Sequence, residues 1–297
     1  MKDLQDKTAF VTGGASGIGL ETARALAKRG VRPILADIEG ARAEAAAAEL
    51  RAEGADAIGL QLNVAEEADW ARAGEEAAKF GDVRILLSNA GVGGGSGKFE
   101  TYDTDVWRWA YAVNAHAHLY ACRTFLDGMK AAGEPTHLAI TASMVAIVPP
   151  PISVAYISSK FATLGIAMAL RNELADTDVG ISVLCPGMSA TNIVATTAKL
   201  RPGASEQGAA AQTAQNMSGV LAGGMAPGPI GERVARAIEA GEFFIFTHPE
   251  WKVMAEAGFA EMLAAFGESA DPAYPGDDIA SLVAANGAKR MNVAVGR

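Results

Sequence analysis

With 297 residues, half of them apolar, the chain can bury a sizeable core as one large α/β domain or two small ones. A net charge of −9 and the lack of any basic cluster exclude the polyanion-binding classes, so nucleic acid is not an expected partner. The opening Met1-Lys2-Asp3-Leu4-Gln5-Asp6 lacks a signal-peptide pattern, and no apolar run approaches the roughly 18 residues that span a bilayer. The expectation is a soluble, cytoplasmic protein with no membrane partner.

In chain order, β-rich runs at Thr8–Val11, Pro33–Ala36, Ile58–Leu62, Ile85–Ser88, His137–Thr141, Ile181–Cys185 and Phe243–Phe246 predict strands. Between them, Ile18–Arg29, Ala41–Glu53, Glu66–Phe80, Asp105–Ala132, Val154–Ala175 and Ile230–Ala240 predict helices. Unbroken apolar strands alternating with helices imply a seven-stranded parallel sheet covered on both faces, because each crossover places a helix on one side. No linker or internal repeat appears, so residues 1–250 read as a single α/β domain. Cys122 falls in a predicted helix and Cys185 ends a predicted strand, which argues against a disulfide framework and fits a reducing compartment.

Two stretches stand outside the alternation. Residues 188–226 are long and rich in Ala, Gly, Thr and Gln, as expected of a flap over a site, the alternative being a tolerated surface insertion. Residues 251–297 form a C-terminal extension in which Trp251, Met254, Gly258, Met262 and Phe266 recur near helical spacing. That stripe is expected to pack on the same domain or on a neighbouring subunit.

Thr12-Gly13-Gly14-Ala15-Ser16-Gly17-Ile18-Gly19 follows the first strand and opens the first helix. Glycine there lets backbone N–H groups at a helix N-terminus approach a pyrophosphate. Asp37 ends the second strand, where a carboxylate can accept both adenosine ribose hydroxyls, although an Asp there can also be a plain helix-entry residue. Ile38 follows it, and Ser16 rather than a basic residue precedes Gly17, so nothing awaits a 2′-phosphate. The expected cofactor is NAD rather than NADP.

At the other end of the sheet, Tyr156 and Lys160 stand four apart in a predicted helix and share a face. Hydride departure from an alcohol carbon needs a group that takes the hydroxyl proton, and a cation beside a tyrosine favours the phenolate. Ser143 ends the fifth strand, where its hydroxyl can stabilise charge on the reacting oxygen. The four histidines offer no metal site: His116 and His118 are two apart on a predicted helix, and His137 and His248 are alone.

Thr12-Gly13 with Gly17 and Gly19, Asn89-Ala90-Gly91, Asn114, Ser143, Tyr156 with Lys160, and Pro186-Gly187 with Thr191 occur in an order that resembles the short-chain dehydrogenases/reductases over roughly residues 6–246. The resemblance implies a Rossmann-type doubly wound sheet and an NAD-dependent alcohol dehydrogenase or ketone reductase. It assigns catalysis to Asn114, Ser143, Tyr156 and Lys160, with Lys160 also holding the nicotinamide ribose and Asn114 a proton-relaying water. It assigns cofactor binding to Gly13, Ser16, Gly17, Ile18, Gly19, Asp37, Ile38, Asn63, Val64, Asn89, Ala90, Gly91, Tyr156, Lys160, Pro186, Gly187, Met188 and Thr191. Two departures stand out: Ser88 replaces a frequent second Asn, and Asn63 replaces an Asp that often meets the adenine amino group, a bond an amide oxygen can still accept. The long helices from Asp105 and from Val154 imply a homodimer or homotetramer.

The apolar Met144–Val148 run and Pro149-Pro150-Pro151, with Met188, Ile193, Val194 and Leu200 of the flap, suit a bulky apolar or aromatic secondary alcohol. Val145, Pro150, Met188 and Ile193 are the expected substrate contacts. The opening hexapeptide, Leu86-Leu87-Ser88-Asn89, Leu200-Arg201-Pro202 and the long tail are similar to the benzylic-alcohol (Cα) dehydrogenases of lignin aryl-ether catabolism. Two other readings stand beside this one: an epimerase or dehydratase that uses NAD as an internal carrier, and a non-catalytic dinucleotide-binding protein.

Overall fold

In the computed structural model, which describes residues 1–95, 97–151, 153–203, 219, 221–267, 271 and 273–286, the first apolar run, Thr8–Thr12 (β1), is buried at every position. Its alternation shows why a sheet forms with two covered faces. Phe10 joins a core with Ile34, Trp70, Leu86, Phe125 and Leu138, while Ala9 and Val11 join a second core with Leu26, Leu35, Ile85, Leu87 and Ile230. Successive strand residues point to opposite faces, so a continuous apolar run serves both layers.

The remaining elements follow the expected alternation: Gly17–Ala27 (α1), Arg32–Asp37 (β2), Gly40–Ala52 (α2), Ile58–Gln61 (β3), Glu67–Phe80 (α3) and Val83–Ser88 (β4). After Thr136–Thr141 (β5) come Val179–Cys185 (β6) and Phe244–Phe246 (β7), and the strands lie parallel in the order β3-β2-β1-β4-β5-β6-β7. The order reverses between β1 and β4, and there the connections diverge to opposite sides and open a crevice at the carboxyl ends. The doubly wound parallel sheet is therefore as expected, with helix boundaries differing by a residue or a few.

One predicted helix is interrupted. The stretch read as Asp105–Ala132 is Thr104–Tyr111 (α4), a single π turn at Ala112–His116 and Ala117–Lys130 (α5). A π turn inserts one residue into the helical ladder and re-aims the side chains around it. Here it carries Asn114 into the protein, where its side chain is fully buried.

Val154–Glu173 (α6) opens on Ser153, whose hydroxyl accepts from the Tyr156 N–H at 3.3 Å. The 188–226 segment is pinched at its base, where Ser189 bridges Met225 and the Met225 N–H donates to the Met188 carbonyl at 2.9 Å. Its described part contains Ile193–Leu200 (α7); residues 204–218 and 220 lie outside the described residues. Pro227–Ala240 (α8) then packs on α1 and leads into β7.

Of the C-terminal extension, Lys252–Ala264 (α9) and Ile279–Asn286 (α10) are described, whereas 268–270, 272 and 287–297 are outside. The expected apolar stripe divides. Trp251 packs against the core, but α9 has no buried position among the described residues, and Phe266 is 85% exposed. Both cysteines are free thiols, and among the described residues no helix is long and apolar enough to cross a membrane.

Candidate active site

The crevice at the β1/β4 reversal is a cleft of about 1130 Å³ lined by the glycine loop, the ends of β2, β4, β5 and β6, and the flap helix α7. Ser16 precedes α1 in extended conformation and its side chain makes no capping bond, so the first-turn N–H groups stay available to an anion. Gly19 lies behind this wall and not in it. A Cβ there would sit 2.3 Å from the Gly13 carbonyl oxygen and 2.7 Å from Asn89 Nδ2, so glycine is what lets the loop fold back on itself.

Hydrogen bonds weld the two flanking strands. Thr12 Oγ1 accepts from the Asn89 and Ala90 N–H groups at 2.8 and 3.0 Å, and Asn89 Nδ2 donates to the Thr12 carbonyl at 3.0 Å. Thr141 Oγ1 donates to Asn89 Oδ1 at 3.1 Å and extends the weld to β5. At the outer end, Asp37 accepts from the Ala15 N–H at 3.3 Å and from the Glu39 N–H at 3.1 Å, which turns its carboxylate into the cleft beside Ile38. Asn63 Oδ1 accepts from the Ala65 N–H at 3.1 Å, and both Asn63 and Val64 line the cleft.

The free helix terminus, the carboxylate at the second strand and the groove between them fit a dinucleotide: N–H groups for a pyrophosphate, Asp37 for ribose hydroxyls. Of the sequence-derived cofactor residues, Gly13, Ser16, Gly17, Ile18, Asp37, Ile38, Asn89, Ala90, Gly91, Pro186, Gly187, Met188 and Thr191 line the cleft together with Tyr156 and Lys160.

Asn114 also sits behind the wall. Its Oδ1 accepts from the Val92 N–H at 2.8 Å, and its Nδ2 donates to the Val92 carbonyl and to Ser159 Oγ, both at 2.9 Å. The π turn thus ties the segment after β4 to α6. Lys160 is buried, and its ammonium donates to the Thr141 carbonyl at 2.8 Å; burial pulls its pKa down to about 8.

Burial pushes the Tyr156 phenol above its ordinary value, and the hydrogen bond to Ser143 opposes that rise. Ser143 is the group that eases this rise, while the Lys160 ammonium donates to the Thr141 carbonyl. Ser143 is itself placed by the Val145 N–H, which donates to its hydroxyl at 3.2 Å.

Val145, Pro150, Met188 and Ile193 form an apolar wall near this group with Leu200 of the flap, joined by Trp109 and Val113, which sequence reasoning did not single out, and by Trp251, which it placed only in the tail stripe. Tyr102 was also missed. Its hydroxyl donates to the Gly94 carbonyl and lies 2.9 Å from Ser153 Oγ, bracing the start of α6.

Three of the four histidines are held in hydrogen bonds away from the Ser143, Tyr156 and Lys160 group. Ser88 Oγ and His118 Nδ1 are 2.7 Å apart in the core, and burial lowers the His118 pKa to about 3, with Lys160 adding to the fall. His118 Nε2 has no hydrogen-bond partner among the described residues. His137 pairs with Ser182 at 2.8 Å and is likewise lowered to about 3 by burial. His248, just after β7, takes the Gly187 N–H on Nδ1 at 3.0 Å and holds Nε2 2.9 Å from the Met188 carbonyl. The two contacts let the imidazole pin the segment at the base of the flap. A Cβ at Gly187 would come within 2.6 Å of that ring. Among the described residues no group of three or more His, Cys, Asp or Glu is placed to hold a metal ion.

A glycine loop at the sheet reversal and a Ser, Tyr and Lys group at the far end of the same cleft define an oxidoreductase of the nucleotide-binding α/β class. The family model for short chain dehydrogenases matches residues 7–201, and the chain belongs to that family. It is 29% identical over 267 residues to the C alpha-dehydrogenase of Sphingobium sp., covering 89% of this chain and 87% of the relative. A short-chain dehydrogenase/reductase from Burkholderia phymatum, solved in complex with NAD, superposes with a TM-score of 0.83 at 27% identity, covering 92% of this chain and all of that one. A putative short-chain dehydrogenase from Novosphingobium aromaticivorans superposes at 0.81 with 32% identity, covering 98% and 99%.

Proposed function

We propose that the protein oxidises a bulky apolar or aromatic secondary alcohol, or reduces the matching ketone, with NAD(H) as the hydride partner. The observation that carries this reading is the cleft itself: Ser143, Tyr156 and Lys160 meet an apolar wall at one end, and Asp37 with the free α1 terminus stands at the other. The nicotinamide supplies the hydride-accepting or hydride-donating carbon. Ser143 holds the substrate oxygen by its hydroxyl, and Tyr156 takes the hydroxyl proton during oxidation or returns it during reduction. Lys160, with its ammonium confined near Thr141, has further N–H donors for the nicotinamide ribose and for drawing the phenolate down once the site is filled. Asn114 acts by position: it fixes the segment after Gly91 against Ser159 and so keeps the wall opposite Lys160 in place.

NAD is favoured over NADP because Asp37 and Ile38 give a 2′-phosphate a carboxylate and an alkyl group in place of cations. Trp109 and Trp251 add aromatic surface to the wall, which suits an aryl-bearing alcohol such as a benzylic aryl-ether alcohol, in line with the name of the Sphingobium relative. Exposed Leu119 on α5 and Phe161 and Met168 on α6 support a homodimer or homotetramer.

The test follows NADH absorbance while the purified protein meets NAD or NADP and a panel of secondary alcohols that includes aryl-ether benzylic alcohols. Turnover with NAD that disappears in Tyr156→Phe is the expected result. Dinucleotide binding without net turnover on any alcohol would overturn the reading.

A further inference from the structure

The adenosine end of the cleft contains an ion-pair cluster that joins the flap to the loop after β2. Glu39 lies two residues beyond Asp37, and its own N–H donates to the Asp37 carboxylate. One Glu39 oxygen accepts from Arg42 Nη1 at 2.5 Å, and the other accepts from Lys199 of the flap helix. Arg42 and Lys199 both line the cleft, and among the described residues neither pairs with another carboxylate. One carboxylate thus holds two cations beside the site where Asp37 would meet the adenosine ribose.

A 2′-phosphate brings about −1.5 to −2 charge and three strong acceptor oxygens to that place. Arginine and lysine are its natural partners, the first by a planar fork and the second as a point charge. Here both are already turned to Glu39, and drawing them away would leave its carboxylate facing the phosphate. Selectivity is a difference of affinities, and it can be raised by withholding partners from the wrong ligand as well as by repelling it.

We infer that Glu39 is a selectivity residue for the dinucleotide: by occupying Arg42 and Lys199 it denies a 2′-phosphate the cations at the adenosine end of the cleft. The inference rests on the NAD-dependent reading above and adds to Asp37 a second carboxylate with a different task. Asp37 meets hydroxyl groups directly, whereas Glu39 acts through the cations it holds. The same cluster spans the cleft from flap to floor, so it couples selectivity to the position of α7.

The test measures dissociation constants of NADH and NADPH for the full chain, for Glu39→Gln, and for Glu39→Gln combined with Arg42→Met and Lys199→Met. Glutamine keeps the length and the acceptor oxygen but removes the charge. Because all three side chains are partly exposed and such pairs are screened, a moderate effect is expected. Glu39→Gln should lower the NADPH-to-NADH ratio of dissociation constants about tenfold, chiefly through tighter NADPH binding, and the triple variant should restore the parent ratio. The gain should shrink at high salt. A ratio unchanged in Glu39→Gln, including one in which NADPH binding stays undetectable, overturns the inference, as does a gain that survives in the triple variant. If the parent chain binds neither dinucleotide, it is the proposed function that falls.

Discussion

The two halves of the cleft are built by different means. At the dinucleotide end the glycine-loop part of the wall is backbone, held by hydrogen-bond welds: Thr12 to Asn89 and Ala90, Asn89 to Thr141, and a glycine packed on its own loop. At the substrate end the wall is side chain, drawn from the π-turn region, the segment after β5, the flap and Trp251. A backbone wall fixes the shape of one binding groove, and a side-chain wall can be altered without disturbing the sheet. The difference predicts which changes abolish function and which only redirect it.

The chemical step should respond most strongly. Tyr156→Phe removes the proton carrier and is expected to cut kcat by about 10³-fold or more while the NADH dissociation constant stays within a few-fold, checked by turnover and by direct binding titration. Gly19→Ala attacks the backbone wall. With its Cβ 2.3 Å from the Gly13 oxygen, it should lower stability by about 1–3 kcal/mol and weaken dinucleotide binding about 10²-fold, read by denaturant melts and the same titration.

The core beneath both halves gives a pH dependence. His118 and His137 have folded pKa values near 3, below an unfolded value near 6.5, so between these limits the unfolded chain binds more protons than the folded one. Stability should therefore fall as the pH drops through 6.5, by about 2 kcal/mol per histidine between pH 7 and 5, as measured by urea unfolding. A variant with His137→Asn should lose about half of that slope. The smallest effect belongs to the side-chain wall: Ile193→Ala should raise KM for a bulky alcohol several-fold with kcat and NAD affinity little changed, read in steady-state kinetics on two alcohols of different size. A comparable loss of NAD affinity would erase the contrast between the halves.

The dinucleotide half was legible in the sequence because its requirements are local. A glycine loop between strand and helix, an Asp at the next strand end and a Tyr-Lys pair at helical spacing each lie within a few residues of chain, and most of those positions line the cleft. The substrate half was legible only in part. Val145, Pro150, Met188 and Ile193 followed from apolar runs next to recognisable elements, whereas Trp109, Val113 and Trp251 reach the wall only through the packing of distant segments. The π turn left no mark in the apolar pattern, since Ala112, Ala115 and Ala117 read the same in either helical register. Gly19 was assigned to the cofactor and Asn114 to a proton-relaying water because their motifs imply those roles; neither lines the cleft, and both buttress it from the layer behind. The tail stripe was legible as an apolar face but not its partner, because spacing reports the face alone; within the single chain α9 has no buried position among the described residues.

His248 gives the architecture a chronology. Its imidazole holds Gly187 and Met188, residues made about sixty positions earlier. On the ribosome, the cofactor loop, the Tyr-Lys helix and the flap all emerge before the side chain that pins the base of the flap. Chains fold largely as units during synthesis, so this wall is completed only when β7 has joined the sheet. A nascent chain arrested before residue 248 would carry Ser143, Tyr156 and Lys160 and still lack the pin that orders the base of the flap.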